Sequence, residues 1–207
     1  MLHTLVVGLN VNCYIIASEL EDEAIIIDPG AEARRIFDVI EERQLSTTAV
    51  ICTHGHFDHI GGVAELVELT GAEVFIHRGD ARYMEDATLN LSGYIDAPAS
   101  IAVPTRPVED GQILKLGEMR LKVLHTPGHT PGSISILVGE AVFCGDLIFA
   151  GSVGRVDFPG GSWEALSLSV REKIFTLPER LILYPGHGSS TTIGEEKKYN
   201  PYFGSRN

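Results

Sequence analysis

The side chains of this chain best suited to chemistry are five histidines and two aspartates. Four of the seven fall in one run, His54-Gly55-His56-Phe57-Asp58-His59, and the rest follow glycines in Gly128-His129, Gly145-Asp146 and Gly186-His187. The set is a complete ligand count for two adjacent divalent ions. Three imidazoles and a carboxylate hold one, two imidazoles and two carboxylates hold the other, and one carboxylate is shared. Imidazole with carboxylate suits zinc, iron or manganese rather than magnesium or calcium.

Ligands spread over so much chain need rigid elements to aim them. Thr48-Ala49-Val50-Ile51-Cys52-Thr53 reads as a buried strand, and the run from Ile60-Gly61-Gly62 to Leu66-Val67 opens an amphipathic helix. The histidine-rich run therefore lies on a strand-to-helix loop, at the carboxyl end of a strand, where α/β folds place their chemistry. Each later ligand also follows a strand-like run, so all should collect along one rim.

The N-terminal third reads strand (Leu5–Val7), strand (Asn12–Ala17), strand (Ala24–Ile27), a turn at Asp28-Pro29-Gly30, and a helix from Ala31 to Arg43. A helix to about Thr70 and a strand Glu73–His77 follow the histidine run. From about Asp86 to Glu109 the pattern is irregular and broken by Pro98, Pro104 and Pro107, which predicts a long loop beside the site. The second half reads as hairpins about Gly117-Glu118 and Gly139-Glu140, then a helix Trp163–Phe175 with Ser162 as N-cap. A strand Arg180–Tyr184 and a helix from about Thr192 to Lys198 close it. Two strand-rich halves, each with helices, imply two packed sheets covered by helices.

The 207 residues, 44% hydrophobic and 21% charged, are ordinary globular material, read as one domain over 1–207. A net charge of −12 argues against nucleic acid and anionic membranes as partners. No run suits a signal peptide or a membrane span, so a cytoplasmic location is expected. Cys13, Cys52 and Cys144 read as small buried residues, and the last two, placed two before ligands, are candidates to support them. Asp28 is a candidate acceptor for a ligand imidazole. His3, His77 and His125 read as structural. Gly128, Gly145 and Gly186 read as tight turns aiming the ligands. Tyr199 and Tyr202 are candidates to line the pocket.

The order His54-x-His56-x-Asp58-His59, His129, Asp146, His187 resembles the metallo-β-lactamase fold hydrolases over nearly the whole chain. Ile27-Asp28-Pro29-Gly30 and His125-Thr126-Pro127-Gly128-His129-Thr130-Pro131-Gly132 resemble further motifs of that family. The resemblance implies an αββα sandwich, an α/β fold of two packed mixed sheets with helices on both outer faces. It implies that His54, His56 and His129 bind one ion and Asp58, His59 and His187 a second, with Asp146 bridging. Zinc is the first expectation, iron and manganese the others.

Within the family the likeness is to short bacterial glyoxalase II (hydroxyacylglutathione hydrolase)-like proteins. Gly145–Arg155, Asp157–Ser162 and Tyr184–Gly188 with Thr191–Glu195 carry it. It implies hydrolysis of a small-molecule thioester such as S-lactoylglutathione, with Asp58 orienting the attacking hydroxide and Arg155 binding substrate. The longer enzymes carry a C-terminal helical extension that supplies glutathione contacts. This sequence runs 20 residues past His187, which leaves the thiol carrier open. The alternatives are a single-iron persulfide dioxygenase-like oxidoreductase and another hydrolase of the fold, a lactonase or β-lactamase. Nuclease activity is argued against by the charge, and oligomeric state is left open.

Overall fold

The computed structural model describes residues 1–18, 22–95 and 100–204. The chain opens with three antiparallel strands, β1 (Leu2–Val7), β2 (Val11–Ala17) and β3 (Glu23–Ile27). Helix α1 (Ala33–Glu42) leads to β4 (Ser46–Ile51), then α2 (Phe57–Ile60), α3 (Val63–Thr70) and β5 (Glu73–His77). A 3₁₀ segment, Arg78–Met84, and the strand β6 (Thr105–Val108) complete this half. The first sheet runs β1-β2-β3-β4-β5-β6, parallel from β3 onward.

The second half comprises β7 (Ile113–Leu116), β8 (Met119–His125), β9 (Ile134–Val138) and β10 (Ala141–Gly145), and the short pair β11 (Ile148–Phe149) and β12 (Ser152–Val153). Then come α4 (Trp163–Ser169), β13 (Ile182–Pro185), β14 (Thr191–Thr192) and α5 (Ile193–Tyr199). The second sheet is ordered β14-β13-β10-β9-β8-β7, with only β10 and β13 parallel.

The side-chain period of two sorts each central strand between two cores. Ala24 and Ile26 of β3 pack toward Ile36, Ile40 and Leu66 of the helices. Ile25 and Ile27 face Leu121, Val123, Ile136 and Phe143 across the sandwich. On the far side Val142, Cys144 and Leu183 pack with Leu166, Val170, Ile174 and Ile193. The layers are therefore helix, sheet, sheet, helix, as expected, and strands covered on both faces read as continuous apolar runs.

Two expectations change. The segment from Asp86 to Glu109 is not all loop, because Thr105–Val108 pairs in parallel with β5. Pro107 hid this strand. A proline lacks the ladder N–H and is tolerated here because β6 is an edge. Pro98 lies outside the described residues. The histidine-rich run is also not simply loop. His56 caps α2 in an extended conformation, and Asp58 and His59 belong to that turn of helix, separated from α3 by Gly61-Gly62. Ser162 and Thr192 cap α4 and α5 as their types suggest. Among the described residues no helix is long and apolar enough to cross a membrane.

Candidate metal centre

All seven side chains singled out from the sequence converge at one rim of the sandwich. Their potential ligand atoms form three overlapping groups, His54/His56/His129, His54/His59/Asp146 and Asp58/His59/His187, with all atoms within 4.8 Å of one another in each. Asp146 sits between the two outer groups. Its Oδ1 is 3.5 Å from His59 Nε2, and its Oδ2 is 3.6 Å from both His129 Nε2 and His187 Nε2. His187 Nε2 is 3.4 Å from Asp58 Oδ2.

The outward ring nitrogens are fixed by acceptors, which settles where the inward lone pairs point. His59 Nδ1 is 2.9 Å from Asp28 Oδ2, His129 Nδ1 is 2.7 Å from the carbonyl of Arg155, and His187 Nδ1 is 3.0 Å from the carbonyl of Asn10. The Thr53 hydroxyl donates to Asp28 Oδ2 at 2.7 Å, so at 3.2 Å it accepts from His54 Nδ1. These four rings therefore present Nε2 to the centre. His56 instead meets His129 Nε2 through Nδ1, at 2.9 Å, close enough for the two nitrogens to share a cation.

The donor set fits divalent metal ions. Six buried side-chain polar atoms among the described residues lack a hydrogen-bond partner, and three of them, His54 Nε2, His59 Nε2 and Asp146 Oδ1, face the centre. A buried polar atom left alone is costly, so three in one cluster mark a missing partner rather than a packing fault. Donor atoms on a tetrahedral ion with bonds of about 2.0–2.1 Å stand about 3.3 Å apart, close to the separations above.

The electrostatics agree. Burial holds the His54 imidazole well below its ordinary pKa, and burial and His129 lower His56 to about 3, so both stay neutral and able to ligate. For His59, burial opposes protonation, yet Asp146, Asp28 and Asp58 together raise it to about 10. Such an excess of carboxylate around one buried ring calls for positive charge. Asp58 is held well below the usual carboxylate range by His59 and His187 against the opposing effect of burial.

Backbone geometry brings the loops this close. Gly145 sits at φ 49°, and a Cβ there would lie 2.4 Å from Thr53 Oγ1. Gly186 is needed for space rather than for its turn, since a Cβ would stand 2.2 Å from Asp146 Oδ1. The His187 loop is tied to the first sheet by Asn12 Nδ2, which donates to the carbonyls of Pro185 and Gly188 at 3.0 and 2.8 Å. The Tyr14 hydroxyl adds a bond to Pro185 at 2.6 Å.

The cluster forms the floor of a cleft of about 330 Å³. Phe57, Leu91, Phe149 and Phe158 give it apolar walls, and Arg155 is the cation among its described lining residues. Leu91 comes from the irregular middle segment, which does border the site. The Arg155 guanidinium lies 4.2 Å over the Phe158 ring and is held in a two-pronged pair with Asp157, at 2.9 and 2.7 Å. Tyr199 and Tyr202 are exposed and not among the lining residues. Cys13, Cys52 and Cys144 are free, buried core residues, and none of them belongs to the three ligand groups. His77 and His125 stack on each other outside the cluster, ring centres 4.0 Å apart.

A family model described as the metallo-β-lactamase superfamily matches residues 6–187. The chain is 39% identical over 199 residues to the hydroxyacylglutathione hydrolase GloC of Haemophilus influenzae, covering 94% of this chain and 93% of that one. Among solved structures it is similar to the BLEG-1 B3 metallo-β-lactamase, with TM-score 0.93, 36% identity and coverage of 98% of this chain and 99% of that one. The di-iron-bound form of TTHA1623 matches with TM-score 0.87, 36% identity and coverage of 97% and 100%.

Proposed function

Because the chain belongs to the metallo-β-lactamase superfamily, a family of metal-dependent hydrolases, we propose that it hydrolyses thioesters of the hydroxyacylglutathione type, S-lactoylglutathione giving lactate and glutathione. The observation that carries this reading is the convergence of two ligand groups on Asp146 at the floor of an apolar cleft. The 39% identity to GloC supports the substrate class, and the di-iron relative supports a pair of ions.

His54, His56 and His129 would hold one ion and Asp58, His59 and His187 the other, with Asp146 between them. Zinc is the first candidate, with iron and manganese accepted by the same donors. When bound, such ions supply Lewis acidity and lower the pKa of water toward neutrality. Asp58, kept ionised and only partly buried, faces the cleft and would accept a hydrogen bond from the attacking water and so orient it. The apolar walls exclude bulk water from the acyl group. A thiolate leaves as the anion, so no acid is needed behind it, and no Lys, Tyr or Cys is among the described lining residues. Arg155 would meet a carboxylate of the thiol carrier, provided that Asp157 yields its place.

The likeness to BLEG-1 favours one other reading, β-lactam hydrolysis by the same residues. The test is a sample loaded with zinc, iron or manganese, its metal counted by elemental analysis, and assayed for thiol release from S-lactoylglutathione. Two ions per chain with thiol release are expected. A fully loaded sample that releases no thiol overturns the thioesterase reading, and β-lactam opening or oxygen uptake with glutathione persulfide would identify its replacement.

A further inference from the structure

We infer that Asp80 is a positioning residue that locks the His54/His56 loop to the His129 loop and so sets the spacing of the three-imidazole group. Asp80 has no solvent exposure. Its Oδ2 accepts from the Gly55 N–H at 2.9 Å and from the Thr130 hydroxyl at 2.6 Å, and its Oδ1 accepts from the Gly132 N–H at 2.6 Å. Gly55 lies between His54 and His56, and Thr130 directly follows His129. One carboxylate thus spans loops that leave different sheets, after β4 and after β8.

The chemistry demands a carboxylate at this place. All three neighbours are donors, and an ionised carboxyl is acceptor-only on both oxygens. An amide of the same shape would turn an NH₂ group toward at least one donor. Burial opposes the charge and pushes the Asp80 pKa up, and the Thr130, Gly55 and Gly132 bonds pull it back. Placing a charge where hydration is lost makes sense when its bonds define a geometry.

The surroundings leave the knot no slack. A Cβ on Gly132 would stand 2.4 Å from the Asp80 nitrogen, and one on Gly55 would stand 2.3 Å from the Tyr83 Cβ. The segment carrying Asp80 is itself capped by His77, whose Nδ1 accepts from the Gly79 N–H at 3.1 Å. Asp80 touches no ligand nitrogen. It acts through the backbone between two of them and the hydroxyl beside a third.

The inference rests on reading the cluster as a metal centre, and the experiment separates the two. Cobalt(II) is titrated into metal-depleted protein and followed by its visible absorption, in two backgrounds. His187→Ala keeps the three-imidazole group, and His129→Ala keeps the Asp58/His59 side. Asp80→Asn should weaken cobalt binding about 10- to 100-fold in the first background and less than about twofold in the second. Thr130→Val, which removes one of the three donors, should shift the same background in the same direction and serves if Asp80→Asn does not fold. Equal losses in both backgrounds, no loss in either, or a loss confined to the second overturn the inference. A parent chain that takes up no cobalt overturns the metal-centre reading and this inference with it.

Discussion

Oδ2 of Asp28 lies 2.9 Å from Nδ1 of His59, and both side chains are almost fully buried. The same carboxylate accepts from the Thr53 N–H and hydroxyl, each at 2.7 Å. Asp28 adopts φ 53°, a left-handed conformation that aspartate tolerates better than most residues. Asparagine tolerates it too, so Asp28→Asn removes the charge without disturbing the turn. It should lower zinc affinity about 10- to 100-fold, read by competition with a chromophoric chelator. Unchanged affinity would remove Asp28 from the account of the centre.

Asp58 is the residue whose loss should separate chemistry from folding. It is partly exposed to the cleft and adds nothing to the apolar cores. Asp58→Ala should cut thioester turnover by about 10²- to 10⁴-fold while leaving the far-ultraviolet circular dichroism unchanged. Wild-type turnover in this variant would refute its role.

Arg155 and Asp157 are both about two-thirds exposed, with side-chain exposures of 65% and 64%. An exposed pair of this kind is weak, so a substrate carboxylate competes with Asp157 on nearly equal terms. Asp157→Asn should lower the KM for an anionic thioester about two- to fivefold with kcat unchanged. Arg155→Ala should raise that KM, and Asp157→Asn should have no effect in the Arg155→Ala background. A KM that ignores both changes places substrate recognition elsewhere in the cleft.

His77 gives a pH dependence independent of the ligands. Burial, with His125 stacked against it, lowers its pKa from 6.5 to about 4. The unfolded chain therefore takes up a proton at this ring at higher pH than the native one. Its contribution to stability is complete above pH 6.5 and is lost as pH falls toward 4. In chelator, urea unfolding should show wild type losing more stability between pH 7.5 and 5 than His77→Phe, which keeps the stacked ring. Parallel losses would contradict the assignment.

The candidate ligands and the layered fold were legible because both leave marks in residue type. Ile25, Ile26 and Ile27 are apolar without alternation because two cores cover β3, and His54, His56, Asp58 and His59 are ligand types at tight spacing. Other parts leave no such mark. The carbonyls of Arg155 and Asn10 orient His129 and His187, and every residue has a carbonyl. Arg155 was expected at the site for its guanidinium, while its backbone also holds a ligand ring. Asp80 is an ordinary acid in sequence, and only the folded chain shows three donors closing on it. Strand β6 was hidden because Pro107 is a breaker everywhere except at an edge.

The two halves of the chain divide the centre between them: His54, His56, Asp58 and His59 from the first sheet's side, His129, Asp146 and His187 from the second's. An ion seated there rivets one sheet to the other. Free ion at a hundred times its dissociation constant would add about 2.7 kcal/mol to the folded state. Withdrawing the ion would then loosen the join between the two sheets as well as empty the centre, so a chelator should lower the temperature at which the chain unfolds.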